Sequence, residues 1–285
     1  MIDHRAEYDL VAAAAARLRS EGFDGANAVI QTGSGIPMPH LTGAHSLPWT
    51  AIEGFPRATA PGHRGAIHHG LCRGVPVLVL EGRLHCYEGH EPAHTIRPIR
   101  VAAALGVRAA ILTNASGGVD PLLRAGDVVR VRDHINLMGF DPLAGIHDPR
   151  FGDRFVVLAG RAHDPGLAGL ADAAARRLGI PLAVGVYAAV HGPSFETQAQ
   201  VAFLRTAGAD VVGMSTVPEI TAAAQLGMKT LVLSLVANPA GVVQAGQSAE
   251  SEVLEAGHSH GPRMTRLVEE IVSRIGADAR DGGGS

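Results

Sequence analysis

Arg83 and His85 follow an unbroken apolar run over residues 75–80. If extended geometry continues past that run, both side chains leave the same face of the chain. A guanidinium and an imidazole on one face can grip a phosphate, with Glu88 nearby to orient Arg83. Gly33-Ser34-Gly35, after a short apolar strand, has the composition of an anion cradle: glycines admit an anion to backbone N–H groups and the serine adds a donor. No Gly-Lys-Ser/Thr follows it and it is not G-x-G-x-x-G, so neither a Walker loop nor a dinucleotide fingerprint is present. Residues 113–118 (TNASGG) read as another small-residue loop. Ser215 precedes a helix opened by Thr216-Val217-Pro218-Glu219, a capping-box pattern, where an anion would also meet the helix dipole. Glu196 and Asn238 each follow an apolar strand, and a carboxylate with a carboxamide suits a heterocycle of matching donors and acceptors. Taken singly, each segment reads equally well as a tight turn, a helix cap or a solvated strand end.

The elements around these residues must bring them together. Helices are expected over residues 8–20, 95–105, 164–178, 197–206, from 216 onward and over 250–275. The third carries the clearest punctuation: Asp164 as N-cap, Pro165 at the first helical position and Gly179 just past the end. Strands are expected over 27–31, 75–80, 109–113, 128–131, 182–190, 210–213 and 229–236. A long Gly/Pro/Asp-rich loop over 137–153 has a length that suggests a role. The alternation argues an α/β fold with a mostly parallel or mixed sheet. No linker or repeat divides the chain, so one domain over 1–280 is expected, with a disordered tail at 281–285. In such sheets ligands bind beyond the carboxyl ends of the strands, which is where every segment named above falls.

Composition narrows the function classes. Of 285 residues, 46% are hydrophobic and 18% charged, which supports a sizeable core and excludes a disordered chain. A net charge of −3 without basic runs argues against nucleic-acid binding. The two cysteines make no disulfide framework and are expected to be reduced. The fifteen histidines show no zinc spacing and no HExxH, so no metal is expected; His68 and His69, being adjacent, would point to opposite faces of a strand. The N-terminus has no signal-like apolar region and no stretch long enough to span a bilayer, so a cytoplasmic protein without membrane contact is expected.

In this order, the segments resemble the low-molecular-mass, trimeric class of the purine nucleoside phosphorylase family. The matching stretches are TGSG at 32–35, PGH at 61–63, GRLHCYEGH at 82–90, TNASGG at 113–118 and DHINLMG at 133–139, then RFGDRF at 150–155, HGPSFET at 191–197, GMSTVPE at 213–219 and the region of Asn238. The resemblance covers nearly the whole chain. It implies a single-domain phosphorylase/hydrolase-like α/β fold, a mixed and partly barrel-like sheet surrounded by helices. It implies homotrimers that split purine nucleosides with inorganic phosphate as co-substrate and no cofactor, in purine salvage. By motif, Ser34, His63, Arg83, His85, the backbone of Ala115 and Ser215 would hold phosphate. Phe195, Glu196 and Asn238 would hold the base, and Tyr87, Met214 and Glu250 the ribose. Asn238, Glu196 and His85 would be catalytic. Phe151 would reach into a neighbouring subunit's site.

Asn238 and an ionised Glu196 match the hydrogen-bond pattern of a 6-oxopurine, whereas adenine reverses it; inosine, guanosine and their deoxy forms are therefore expected substrates. Two positions depart from the family pattern. Pro37 replaces a glycine in the first loop, and Glu250 stands where a histidine usually meets the ribose 5′-hydroxyl. Glu250 keeps open a methylthio-nucleoside phosphorylase with altered 5′ preference, and a non-catalytic nucleoside binder on the same fold is the alternative of a different class.

Overall fold

The computed structural model describes residues 2–242 and 248–281. Among these residues six α-helices run α1 His4–Ser20, α2 Pro92–Ala104, α3 Pro165–Leu178, α4 Gln198–Thr206, α5 Val217–Gln225 and α6 Ala249–Asp281. Nine strands run β1 Ala28–Gln31, β2 Thr42–Pro48, β3 Ala66–Cys72, β4 Val75–Glu81, β5 Ala109–Gly118, β6 Val128–Leu137, β7 Leu182–Val190, β8 Val211–Gly213 and β9 Lys229–Pro239.

All nine strands form one mixed sheet in the order β2-β3-β4-β1-β5-β8-β7-β6-β9, and β9 also pairs back onto β5. The segment from β5 to β9 is thus a closed ring of five strands, and β2, β3, β4 and β1 form an open wing on it. The expected mixed, partly barrel-like sheet is this arrangement. The period-2 alternation of strands sorts the core. Val29, Leu78, Leu80 and Leu112 face a cluster shared with α1, α2 and α5, while Ile30, Val77, Val79 and Ile111 face α3 and α6. Both faces are covered, which is why these strands read as unbroken apolar runs.

Local signals placed α3 correctly: the Asp164 side chain accepts from the Leu167 amide, Pro165 opens the helix and Gly179 closes it in the left-handed region. Other expected boundaries move. Residues 113–118 are not a loop; β5 continues through them because β9 supplies a parallel ladder along its length and β8 pairs at Gly117–Gly118. Likewise β6 extends to Leu137 against β7, and β9 to Pro239. The β2–β3 hairpin was not legible as strands. Within it His68 bonds Ser46 and Glu81, while His69 turns to His45 and Phe23 on the other side. Both cysteines are free and buried. Helix α6 runs through Asp281, the first residue of the expected tail, and the rest of that tail, 282–285, lies outside the described residues. No helix among the described residues is long and apolar enough to cross a membrane.

Two glycines show how tightly the site's floor is built. A Cβ on Gly33 would meet the Asn114 Cα at 2.6 Å, and one on Gly257 of α6 would meet the Gly35 Cα at 2.7 Å. Such contacts are shorter than any side chain tolerates, so β5 and α6 clamp the 33–35 turn from two sides.

Candidate active site

Beyond the carboxyl ends of β1, β4, β5, β7 and β9 lies a cavity of about 430 Å³. It is lined by Ser34, Arg83, His85, Tyr87, Ala115, Phe195, Glu196, Met214, Ser215, Asn238 and Glu250, so residues spread over most of the chain converge on one space. Strand ends deliver them: Ser34 just past β1, Arg83 and His85 past β4, Phe195 and Glu196 past β7, Met214 and Ser215 past β8. Ala115 and Asn238 sit on β5 and β9 themselves, and Glu250 opens α6.

Arg83 is 1% exposed. Its Nε donates to Glu219 Oε1 at 2.6 Å and its Nη1 to the Thr113 carbonyl at 3.1 Å, while Nη2 is buried without a protein partner. The ion pair to Glu219 is fully enclosed. The expected role of Glu88 beside Arg83 is corrected here, as is the expected capping role of Glu219. Glu219 leaves the cap and turns to Arg83 because a buried guanidinium needs a carboxylate. Glu88 instead accepts from His85 Nδ1 at 2.8 Å and from the His85 amide at 2.8 Å. Its second oxygen takes the Thr59 amide at 2.8 Å, the Thr59 hydroxyl at 2.5 Å and the Ala60 amide at 2.9 Å. Burial alone would raise the Glu88 carboxyl, but these donors, His85 first, hold it well below the usual carboxylate range. Burial pushes the His85 imidazole down, against the opposing bond to Glu88. A neutral His85 that donates from Nδ1 keeps Nε2 as an acceptor. Tyr87 stacks on the ring, centroids 4.6 Å apart.

His63 does not line the cavity. It stands behind Ser34, with Nε2 3.1 Å from the Ser34 hydroxyl, so it reaches the site through that hydroxyl rather than directly. Burial, then the charges of His85 and Arg83, push its imidazole down to about 3. These low values predict acid lability. For His63 and Glu88 the unfolded chain takes up protons before the folded one as pH falls. Stability should therefore decline below about pH 6.5, where free imidazole begins to charge, and more steeply below about pH 4.5. Urea midpoints across pH 7.5 to 4 check this, and a flat profile would contradict it.

Ser215-Thr216-Val217 forms a γ-turn. Thr216 has φ 72° and ψ −42°, and the Val217 amide bonds the Ser215 carbonyl at 2.8 Å. A β-branched residue at positive φ is strained. Asn114 Nδ2 holds the Thr216 hydroxyl at 3.0 Å, and Ser234 in turn donates to Asn114 Oδ1 at 2.6 Å.

On the other side of the cavity, burial raises the Glu196 carboxyl. Phe195 is 45% exposed at the rim. The Asn238 amide nitrogen donates to Glu252 Oε2 at 2.7 Å and makes only a long 3.4 Å contact with the Val242 carbonyl. Glu252 thus anchors one N–H, and Val242 holds the other only loosely, so a ligand can compete for it and for Oδ1. Glu252 was not singled out from sequence, and Glu219 only as a helix cap, because their partners lie 14 and 136 residues away.

Phe151 is corrected. It is buried within its own chain, edge-on to Tyr8 at 5.0 Å between centroids, with the Arg100 guanidinium 3.9 Å above its ring. It has nothing to present to a neighbour. The exposed phenylalanine of the RFGDRF segment is Phe155, at 86%.

Residues 27–273 match the family model for the phosphorylase superfamily, and the chain belongs to that superfamily. It is 42% identical to purine nucleoside phosphorylase 1 of Bacillus subtilis over 86% of this chain and 90% of that one. It is 37% identical to purine nucleoside phosphorylase of Mycobacterium tuberculosis, over 96% of this chain and all of that one. The fold superposes on Schistosoma mansoni purine nucleoside phosphorylase in complex with adenosine, TM-score 0.87 at 33% identity, covering 93% of this chain and 96% of the other. Within the superfamily it stands with the purine nucleoside phosphorylases, which are pentosyltransferases.

Proposed function

We propose that this enzyme phosphorolyses 6-oxopurine nucleosides and deoxynucleosides to the free base and pentose 1-phosphate, as a homotrimer in purine salvage. The observation that carries the phosphate half is Arg83: a guanidinium buried at the cavity wall, aimed by Glu219 and Thr113, with Nη2 left for an anion. Ser34, Ser215 and the Ala115 backbone would add neutral donors. The Nε2 of His85 would accept from the hydroxyl of hydrogen phosphate, and His63 would polarise Ser34. The site would thereby fix the nucleophile below the sugar, which supplies orientation and electrostatics to an oxocarbenium-like transition state.

The departing base would meet Asn238 and Glu196. Oδ1 of Asn238 would accept from purine N7–H, and its second N–H would turn from the Val242 carbonyl to the 6-oxygen. Glu196, as a carboxylate, would accept from N1–H. Tyr87 and Met214 would contact the ribose, and Phe195 the face of the base. Phe155, rather than Phe151, is the aromatic a neighbouring subunit could receive. Glu250 lines the cavity, and a carboxylate there accepts a 5′-hydroxyl proton but gains nothing from a methylthio group. Inosine should therefore turn over faster than methylthioinosine.

Hypoxanthine release from inosine should require inorganic phosphate. Release without phosphate would mean a hydrolase, and no release at all a binding protein. Selectivity has its own test in Asn238→Asp, which should raise adenosine turnover relative to inosine by at least about tenfold, since one reversed hydrogen bond is worth roughly that much. The new carboxyl would abut Glu252, so the double variant with Glu252→Gln restores a donor to it. Unchanged selectivity in both would refute the base assignment. The adenosine complex of the Schistosoma mansoni relative makes turnover, rather than binding, the proper readout.

A further inference from the structure

A second constellation lies away from the cavity, where the long segment after β6 returns to α3. Nδ1 of His134, on β6, is 3.1 Å from Nε2 of His163, the residue preceding the N-cap of α3. Asp133 completes a set whose candidate ligand atoms all lie within 4.8 Å of one another. A β-bulge in β6 falls between Val131 and Asp133, and bulges re-aim the side chains beside them. Both imidazoles are part-buried, and Nδ1 of His163 is buried without a protein partner, so that ring is anchored only through Nε2.

The spacing suits a metal ion. At a zinc–nitrogen distance of about 2.0–2.1 Å, two nitrogens sit about 3.3–3.4 Å apart in tetrahedral geometry and about 2.9 Å apart in octahedral geometry. The observed 3.1 Å falls between these limits. Asp133 is exposed, and its Oδ1 accepts from the His134 amide at 2.9 Å, which leaves the other carboxylate oxygen to turn toward an ion. Sequence spacing concealed the set because the two histidines are 29 residues apart.

We propose that Asp133, His134 and His163 bind one divalent transition-metal ion of the zinc type, with water in the fourth position. Two imidazoles and one carboxylate favour zinc, cobalt or nickel over magnesium or calcium, which prefer all-oxygen sites. The ion would staple the ends of the segment between β6 and α3, the segment that carries Phe155. Its role is structural, since none of the three residues lines the cavity.

The test uses the full chain without an affinity tag, stripped with chelator and titrated with cobalt(II). Visible d–d bands should saturate at one equivalent, and zinc should raise the melting temperature. His163→Ala should abolish both effects, and Asp133→Asn should weaken cobalt binding by at least about tenfold. His163→Ala should keep its phosphorolysis rate, which shows that it is folded. Absence of d–d bands in the wild type, or the same bands in His163→Ala, would overturn the proposal. Neither outcome touches the phosphorolysis reading, which rests on the cavity.

Discussion

Arg83→Met should lower kcat/KM for phosphate-dependent inosine cleavage by about a thousandfold, while hypoxanthine binding in the absence of phosphate changes little. The split follows from geometry. Arg83 is held at one wall by Glu219 and the Thr113 carbonyl, and its Nη2 is the buried donor left over. A preorganised donor in a water-excluded site contributes about 10²–10³ in rate, and a full charge sits at the top of that range. Arg83→Lys should recover little, because one ammonium cannot serve Glu219, a carbonyl and an anion in three fixed directions. Steady-state kinetics at varied phosphate, beside calorimetric titration of hypoxanthine, separate the two effects. Equal losses in both would show that Arg83 does not serve phosphate.

Glu219→Leu should cost about 3–5 kcal/mol of stability, the usual consequence of stranding one member of a buried ion pair. For a chain of this size that is a fall in melting temperature on the order of 10 °C. The informative companion is Arg83→Met with Glu219→Leu. Two apolar side chains in place of an enclosed ion pair are commonly neutral or better for stability. The double variant should therefore melt near the wild type and remain inactive. Recovery of stability without activity would show that the pair is kept for the reaction. If the double variant melts as low as Glu219→Leu, the enclosed pair has a structural role beyond charge neutralisation.

How much of this was legible in sequence depends on how far each interaction reaches. Helix α3 was readable because Asp164, Pro165 and Gly179 act within one turn of where they stand. Most cavity-lining residues were readable because they stand at or just past strand ends, and parallel strands deliver their carboxyl ends to one edge. The carboxylate partners were not. Glu88 is near Arg83 in sequence and serves His85, while Glu219 looks like a helix cap and crosses 136 residues to Arg83. The small residues of 113–118 carry turn composition, yet a ladder partner on β9 keeps them extended. Phe151 and Phe155 share one short motif, and only packing against Tyr8 and Arg100 decides which is hidden.

The bend at Thr216 has an implication for anyone who tries to make this enzyme hardier. A threonine at φ 72° holds a conformation that costs about 1–3 kcal/mol, and Asn114 and Ser234 keep it there. Glycine would relax it, and a screen that rewards heat tolerance alone would favour that exchange. The same exchange would slacken the junction that aims Ser215 and Glu219. Here robustness and turnover pull on a single residue in opposite directions.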